Sequence, residues 1–186
     1  MIDGLALSFF LPLVVHALAG LTTGVMGVLA FRAPKRRRRH HEWGKSYLWA
    51  YTVLFLTATM LSVQRMPADD YLLVLATLGY GLALSGYAAR RFRQAPIVRR
   101  LVGKQWVVAH IIGVIGSYVV LWTAFYVDNA HLIPGLKELP TLTFWVIPTL
   151  IALPFLVVSI SRFAPQTARH AQLDSTSKYA REKRNN

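Results

Sequence analysis

Arg32-Ala-Pro-Lys-Arg-Arg-Arg-Arg-His-His-Glu-Trp-Gly-Lys45 is a basic knot tied between two long apolar runs. Residues 5–30 before it and 46–63 after it contain no Asp, Glu, Lys or Arg. Apolar runs of ~20 residues are long enough to cross ~30 Å of hydrocarbon as helices, which satisfy their backbone donors and acceptors internally. Strands of a membrane barrel would alternate apolar and polar residues, and neither run does. The knot therefore reads as the connector between two membrane-spanning helices.

Working outward, the same pattern recurs three more times. The polar turn from Gln64 to Asp70 leads to a span over about 72–89, and a second basic connector covers 90–104. Span four runs over about 105–127, and a loop at 128–140 precedes span five at about 142–160. The polar, basic tail 161–186 is expected to be disordered or loosely helical on the membrane surface. The fold class that follows is an all-α integral membrane bundle of five transmembrane helices. Asp3, the lack of Lys or Arg before span one, and the length of that span argue against a signal peptide.

Charge sets the expected threading. The 186 residues carry 21 Lys and Arg against 8 Asp and Glu, a net charge of +13. Such a balance in a soluble chain suggests nucleic acid, but here the charge is divided among three loops beside spans. That arrangement favours anionic lipid headgroups and excludes nucleic acid as the partner. Nineteen of the 21 basic residues fall in 32–45, 90–104 and the tail, leaving Arg65 and Lys137 on the other side. Basic loops stay in the cytoplasm, so the N-terminus is expected outside and the C-terminus inside, in a bacterial inner membrane. Trp43, Trp49 and Trp106 near one boundary and Tyr71 and Tyr126 near the other fit interfacial belts.

Function is less legible. With no cysteine, disulfides, cysteine-held iron–sulfur clusters and thiol catalysis are excluded. No Gly-x-Ser-x-Gly elbow or pair of His four apart is present, and Asp69-Asp70 reads as a solvated turn. The ionisable groups inside spans are His16 and His110, each on a face of small residues. His16, Gly20, Gly24 and Gly27 share one face of span one; His110, Gly113, Ser117 and Ala124 share one face of span four, with Tyr118 beside it. Thr77, Gly81 and Ser85 make a similar stripe in span three. These stripes predict close helix seams within the bundle or with partner helices. The prolines of span five, Pro148 and Pro154, mark it as a hinge or pocket wall.

Histidine is also the usual ligand of b-type heme, and a helix bundle is a natural holder. Depth opposes one heme shared by His16 and His110. They are offset by roughly 15 Å at ~1.5 Å per residue, whereas two axial nitrogens on one metal are about 4 Å apart, at ~2 Å per bond. A one-ligand heme, a quinone pocket or a non-heme metal site stays open, and His40 and His41 lie where they can meet a headgroup or a ligand.

His16 with Gly20, and His41-Glu-Trp-Gly44-Lys-Ser-Tyr47, resemble the start of an uncharacterised family of small bacterial multi-pass membrane proteins, a domain of unknown function. His110-Ile-Ile-Gly113, Ser117-Tyr118, Thr123-Ala-Phe125-Tyr-Val127 and Trp145-Val-Ile-Pro148-Thr resemble its second half, with Val114 standing where methionine is expected. The resemblance implies an inner-membrane helical bundle with His16, His41 and His110 as the positions of interest, and no activity. The leading expectation is a non-enzymatic membrane component that packs with partner helices, copies of itself included, and with anionic lipid. The first alternative is a heme- or quinone-binding redox protein using His16 and His110, with Ser117, Tyr118 and His41 beside them. The second is a small-molecule carrier.

Overall fold

A computed structural model describes residues 2–35, 38–65 and 70–185, with side chains over 7–35, 38–65, 70–103 and 105–164. Those residues form α1 (Ile2–Arg32), α2 (Arg38–Arg65), α3 (Asp70–Arg91), α4 (Pro96–Val102), α5 (Trp106–Asn129) and α6 (Thr141–Asn185), with no strand among them. Five helical stretches are long and apolar enough to cross a membrane: Leu7–Arg32, Arg38–Arg65, Asp70–Arg91, Trp106–Leu132 and Thr141–Ala164. The chain is thus all-α with five candidate membrane spans.

Local chemistry explains the breaks. Pro34 follows α1 and lacks the N–H that would continue its ladder. The carbonyls left open at the end of α1 are taken by side chains: Lys35 Nζ donates to Ala30 O (3.2 Å) and Phe31 O (2.9 Å). The N–H of Tyr71 donates to Asp70 Oδ1 (2.7 Å) in the first turn of α3. Within the second basic connector, Pro96 opens the short α4, and Gly103 closes it at φ 54°, a left-handed conformation suited to glycine. Gly135, at φ 83°, turns the loop before α6. The turn residues 66–69 and Arg36-Arg37 of the knot lie outside the described residues. The backbone of α6 continues as helix through the tail to Asn185.

Two tight pairs make the bundle, α1 with α2 and α3 with α5. A lighter α2–α3 contact joins them, and α6 lies along α5. The α3–α5 seam is the closest. A Cβ added to Gly113 would stand 2.6 Å from Gly86 Cα and 2.8 Å from Leu82 O, so only glycine lets the backbones approach this far. This corrects the expected seam of α3. Thr77, Gly81 and Ser85 are exposed, and nothing lies within 4 Å of a Cβ at Gly81. The inward stripe is Leu75, Gly79, Ala83 and Gly86. Both stripes are rich in small residues at helical spacing, and the tyrosines of α2 decide between them by filling the space over Gly79 and Ala83.

Candidate functional site

Between the two pairs lie two cavities, separated by a layer of tyrosines. Tyr47 and Tyr51, one helical turn apart on α2, reach across to Ser117 on α5. Ser117 is fully buried, and its hydroxyl donates to Val114 O (2.9 Å). Its single proton is thereby used, so Tyr47 donates to Ser117 Oγ (2.8 Å). Tyr51 donates to the Ser117 carbonyl (3.1 Å). Tyr118 donates to Gly24 O (3.0 Å), and its ring occupies the space a side chain at Gly27 would need. Tyr80 donates to Thr52 Oγ1 (3.1 Å), whose own proton goes to Leu48 O, and Tyr80 stacks on Phe55 at 4.7 Å. Among the described residues, no buried side-chain nitrogen or oxygen lacks a partner.

The far cavity, about 690 Å³, lies between this layer and the end that carries Arg65, Asp128 and Asn129. Its wall is chiefly apolar, with Leu13, Leu54, Phe55 and Phe125 among its residues. His16 stands in it, with Nδ1 3.2 Å from Thr57 Oγ1. The Thr57 hydroxyl donates to carbonyls of its own helix, at 2.9 Å to Val53 O and 3.0 Å to Leu54 O. It therefore accepts from His16, whose Nδ1 carries the proton.

The basic-end cavity is larger, about 870 Å³. Its floor is apolar, built from Leu48, Ile111, Val114 and Ile115, and α6 adds Ser159 and Phe163 to the wall. At its mouth stand Lys35, Lys45, Arg90, Arg91 and Arg93, and no Asp or Glu among the described residues lines it. An ion pair, Arg38 with Glu42, lies outside the lining of this cavity. Arg93 sits over the Trp106 ring at 5.0 Å. Burial pulls the Lys35 ammonium below its ordinary pKa. His40, His41 and His110 all line this cavity. His110 Nδ1 lies 2.8 Å from Gly86 O, and His40 Nδ1 lies 2.9 Å from Ala30 O. A carbonyl can only accept, so in both rings Nδ1 bears the proton.

The sequence-derived candidates therefore divide. His16 and Tyr118 belong to the far cavity, His41 and His110 to the basic end, and Ser117 to the tyrosine layer between them. His16 and His110 face different cavities, so the two do not form one site. His131 is exposed on its loop, and the side chain of His170 lies outside the described residues. Among the described residues, no cluster of three or more His, Cys, Asp or Glu is placed to hold a metal ion. Tyr51 and Tyr80 were not singled out from sequence, and Tyr47 only as the end of the resembling stretch, although the four-residue spacing of Tyr47 and Tyr51 puts them on one helix face. His40, expected where it can meet a headgroup or a ligand, is half-buried, with Nδ1 tied to Ala30 O.

No family model, no curated protein and no solved structure matches this chain.

Proposed function

We propose that the protein is a multi-pass component of a bacterial inner membrane whose basic end binds an amphiphile with an apolar body and an anionic head. The N-terminus lies outside and the C-terminus in the cytoplasm, following the partition of Lys and Arg. One observation carries the ligand: among the described residues, five cations and no carboxylate surround the mouth of an 870 Å³ cavity whose floor is apolar. Unpaired cations repel one another and attract anions into a low-dielectric cleft, while the floor takes up an apolar body.

The test is displacement of a fluorescent fatty acid from the purified protein by phosphatidylglycerol and by phosphatidylcholine. Phosphatidylglycerol is expected to displace the probe far better, and the preference should fade with salt. Equal displacement by the two lipids would count against the cationic mouth. Topology is tested separately, because the chain has no cysteine and single-cysteine variants label cleanly. In intact cells an impermeant maleimide should label Lys137→Cys and spare Arg99→Cys.

A second reading, assembly through helix faces, is favoured by the outward stripe Thr77, Gly81 and Ser85, which is exposed among the described residues. Oxidative cross-linking of Gly81→Cys in membranes tests it: a disulfide dimer supports assembly and a persistent monomer opposes it.

A further inference from the structure

We propose that the basic-end cavity is a heme site in which His110 and His40 are the iron ligands and the arginines at its mouth hold the propionates. This rests on the reading that the cavity takes an anionic amphiphile, and it names the amphiphile. The carrying observation is the state of the two rings. Each gives Nδ1–H to a backbone carbonyl, His110 to Gly86 O and His40 to Ala30 O. No hydrogen bond among the described residues engages either Nε2, and both residues line the same cavity. Histidines that bind a metal through one nitrogen almost always donate the other N–H to a carbonyl or carboxylate, which fixes tautomer and orientation. Here that second contact is already made on opposite helix pairs, α1–α2 for His40 and α3–α5 for His110.

The sign of the surroundings then chooses the kind of metal. A bare divalent ion entering among Lys35, Arg90 and Arg91 would meet positive charge that no carboxylate among the described lining residues offsets. Iron enclosed in a dianionic macrocycle brings its own compensation, and its two propionates add the negative charge that the arginines lack. A cavity of about 870 Å³ lies within the range of roughly 300–1,000 Å³ that cofactor and small-ligand sites occupy. Its apolar floor suits the macrocycle's face. His41, adjacent in sequence, makes no comparable tie among the described residues, so the ligand role falls on His40. The geometry also keeps His16 out of the site, since it faces the far cavity.

The experiment titrates the detergent-purified full chain with hemin and, in parallel, with iron-free protoporphyrin IX, recording spectra before and after dithionite. The expected result is one hemin per chain, with a sharp Soret band and a distinct α band on reduction. His110→Gln keeps a donor for Gly86 O but offers no imidazole, and should abolish the reduced α band. His40→Gln keeps the contact to Ala30 O and should leave a five-coordinate spectrum, while His16→Gln should match wild type. Thermal melts of each variant show whether the fold persists. If His110→Gln does not fold, wild-type hemin and protoporphyrin binding still decide the matter. Hemin that binds no tighter than protoporphyrin, or keeps its spectrum in both glutamine variants, overturns iron ligation yet leaves the amphiphile reading standing. If neither porphyrin binds and phosphatidylglycerol displaces the fatty-acid probe, the heme proposal falls alone. If phosphatidylglycerol also fails, both readings fall.

Discussion

The two cavities share a wall and little else. Both lie between the same helix pairs and both contain a histidine whose Nδ1 is occupied by a partner on another helix. The far cavity is lined chiefly by apolar side chains, with Arg65 and Asp128 at its end, whereas the basic-end cavity has five cations and no acid. Their difference shows that the helix packing sets the space and the connectors set the chemistry. Lys35 and Lys45 belong to the first basic stretch, 32–45, and Arg90, Arg91 and Arg93 to the second, 90–104. Nothing comparable enters the far cavity from the loop at 128–140. The tyrosine layer keeps the two environments apart.

The most damaging way to break this arrangement is at the seam that holds one pair together. Gly113→Leu would force a side chain into the backbone of Gly86, and that wall cannot swing aside as a side chain can. Overpacking of this kind costs about 1–3 kcal/mol, and rigid backbone places it at the upper end. Gly81→Leu, on the outward stripe, should leave the thermal melt in detergent within about 0.5 kcal/mol of wild type, as surface changes do. Equal losses in the two variants would mean that α3 presents the other stripe to α5.

The need for that test shows what was legible in the sequence. Five spans were readable because hydrocarbon demands long uncharged runs, and charge at their ends is visible without structure. The seam of α5 was readable for a similar reason: His110, Gly113 and Ser117 form its conspicuous small or polar face. On α3 the periodicity offered two faces, Thr77-Gly81-Ser85 and Gly79-Ala83-Gly86, and nothing local separates them. The choice depends on Tyr47 and Tyr51 of α2, whose packing is tertiary. His40 was obscured differently. Within an arginine run it looks solvated, and its burial follows from the open carbonyl of Ala30, a consequence of Pro34 four residues beyond. The separation of His16 from His110 was readable from depth alone, whereas the cavity that unites His110 with His40 required the fold.

Charge is the next lever. Arg90→Gln with Arg91→Gln should weaken phosphatidylglycerol binding by about fivefold for each arginine, since a basic side chain near an anionic headgroup contributes about 1 kcal/mol. Raising the salt concentration should shrink the loss. Asp128→Asn, at the far end, should leave phosphatidylglycerol binding unchanged. Competition with the fatty-acid probe measures all three, and a response to Asp128→Asn as large as that of the arginine pair would show that the cavities are not electrically separate.

The wall between them gives a smaller effect. Ser117→Ala removes the acceptor of Tyr47 and leaves a buried hydroxyl unpaired, at a cost of about 1–2 kcal/mol. Tyr51 bonds the Ser117 carbonyl and keeps its partner. Adding Tyr47→Phe to Ser117→Ala removes the orphan, so the double variant should melt above the sum of the two single losses. Strict additivity would mean that the two hydroxyls do not depend on each other.

Thr57→Val asks the same question on the cavity face. It removes the Thr57 hydroxyl that accepts from His16 Nδ1, as Ser117→Ala removes the acceptor of Tyr47, although the Leu54 carbonyl stays beside the ring. The surroundings also differ. Tyr47 and Ser117 are both buried, whereas His16 is half-buried and lines the far cavity, where its N–H can turn to water or lipid once Thr57 is gone. Interhelical hydrogen bonds in membrane proteins average about 0.6 kcal/mol because the broken state usually finds substitutes. Thr57→Val should therefore cost about 0.6 kcal/mol in the same melt, roughly half or less of the Ser117→Ala loss. A larger cost at Thr57 would place the sealed layer at His16 and move the boundary between the cavities toward Asp128.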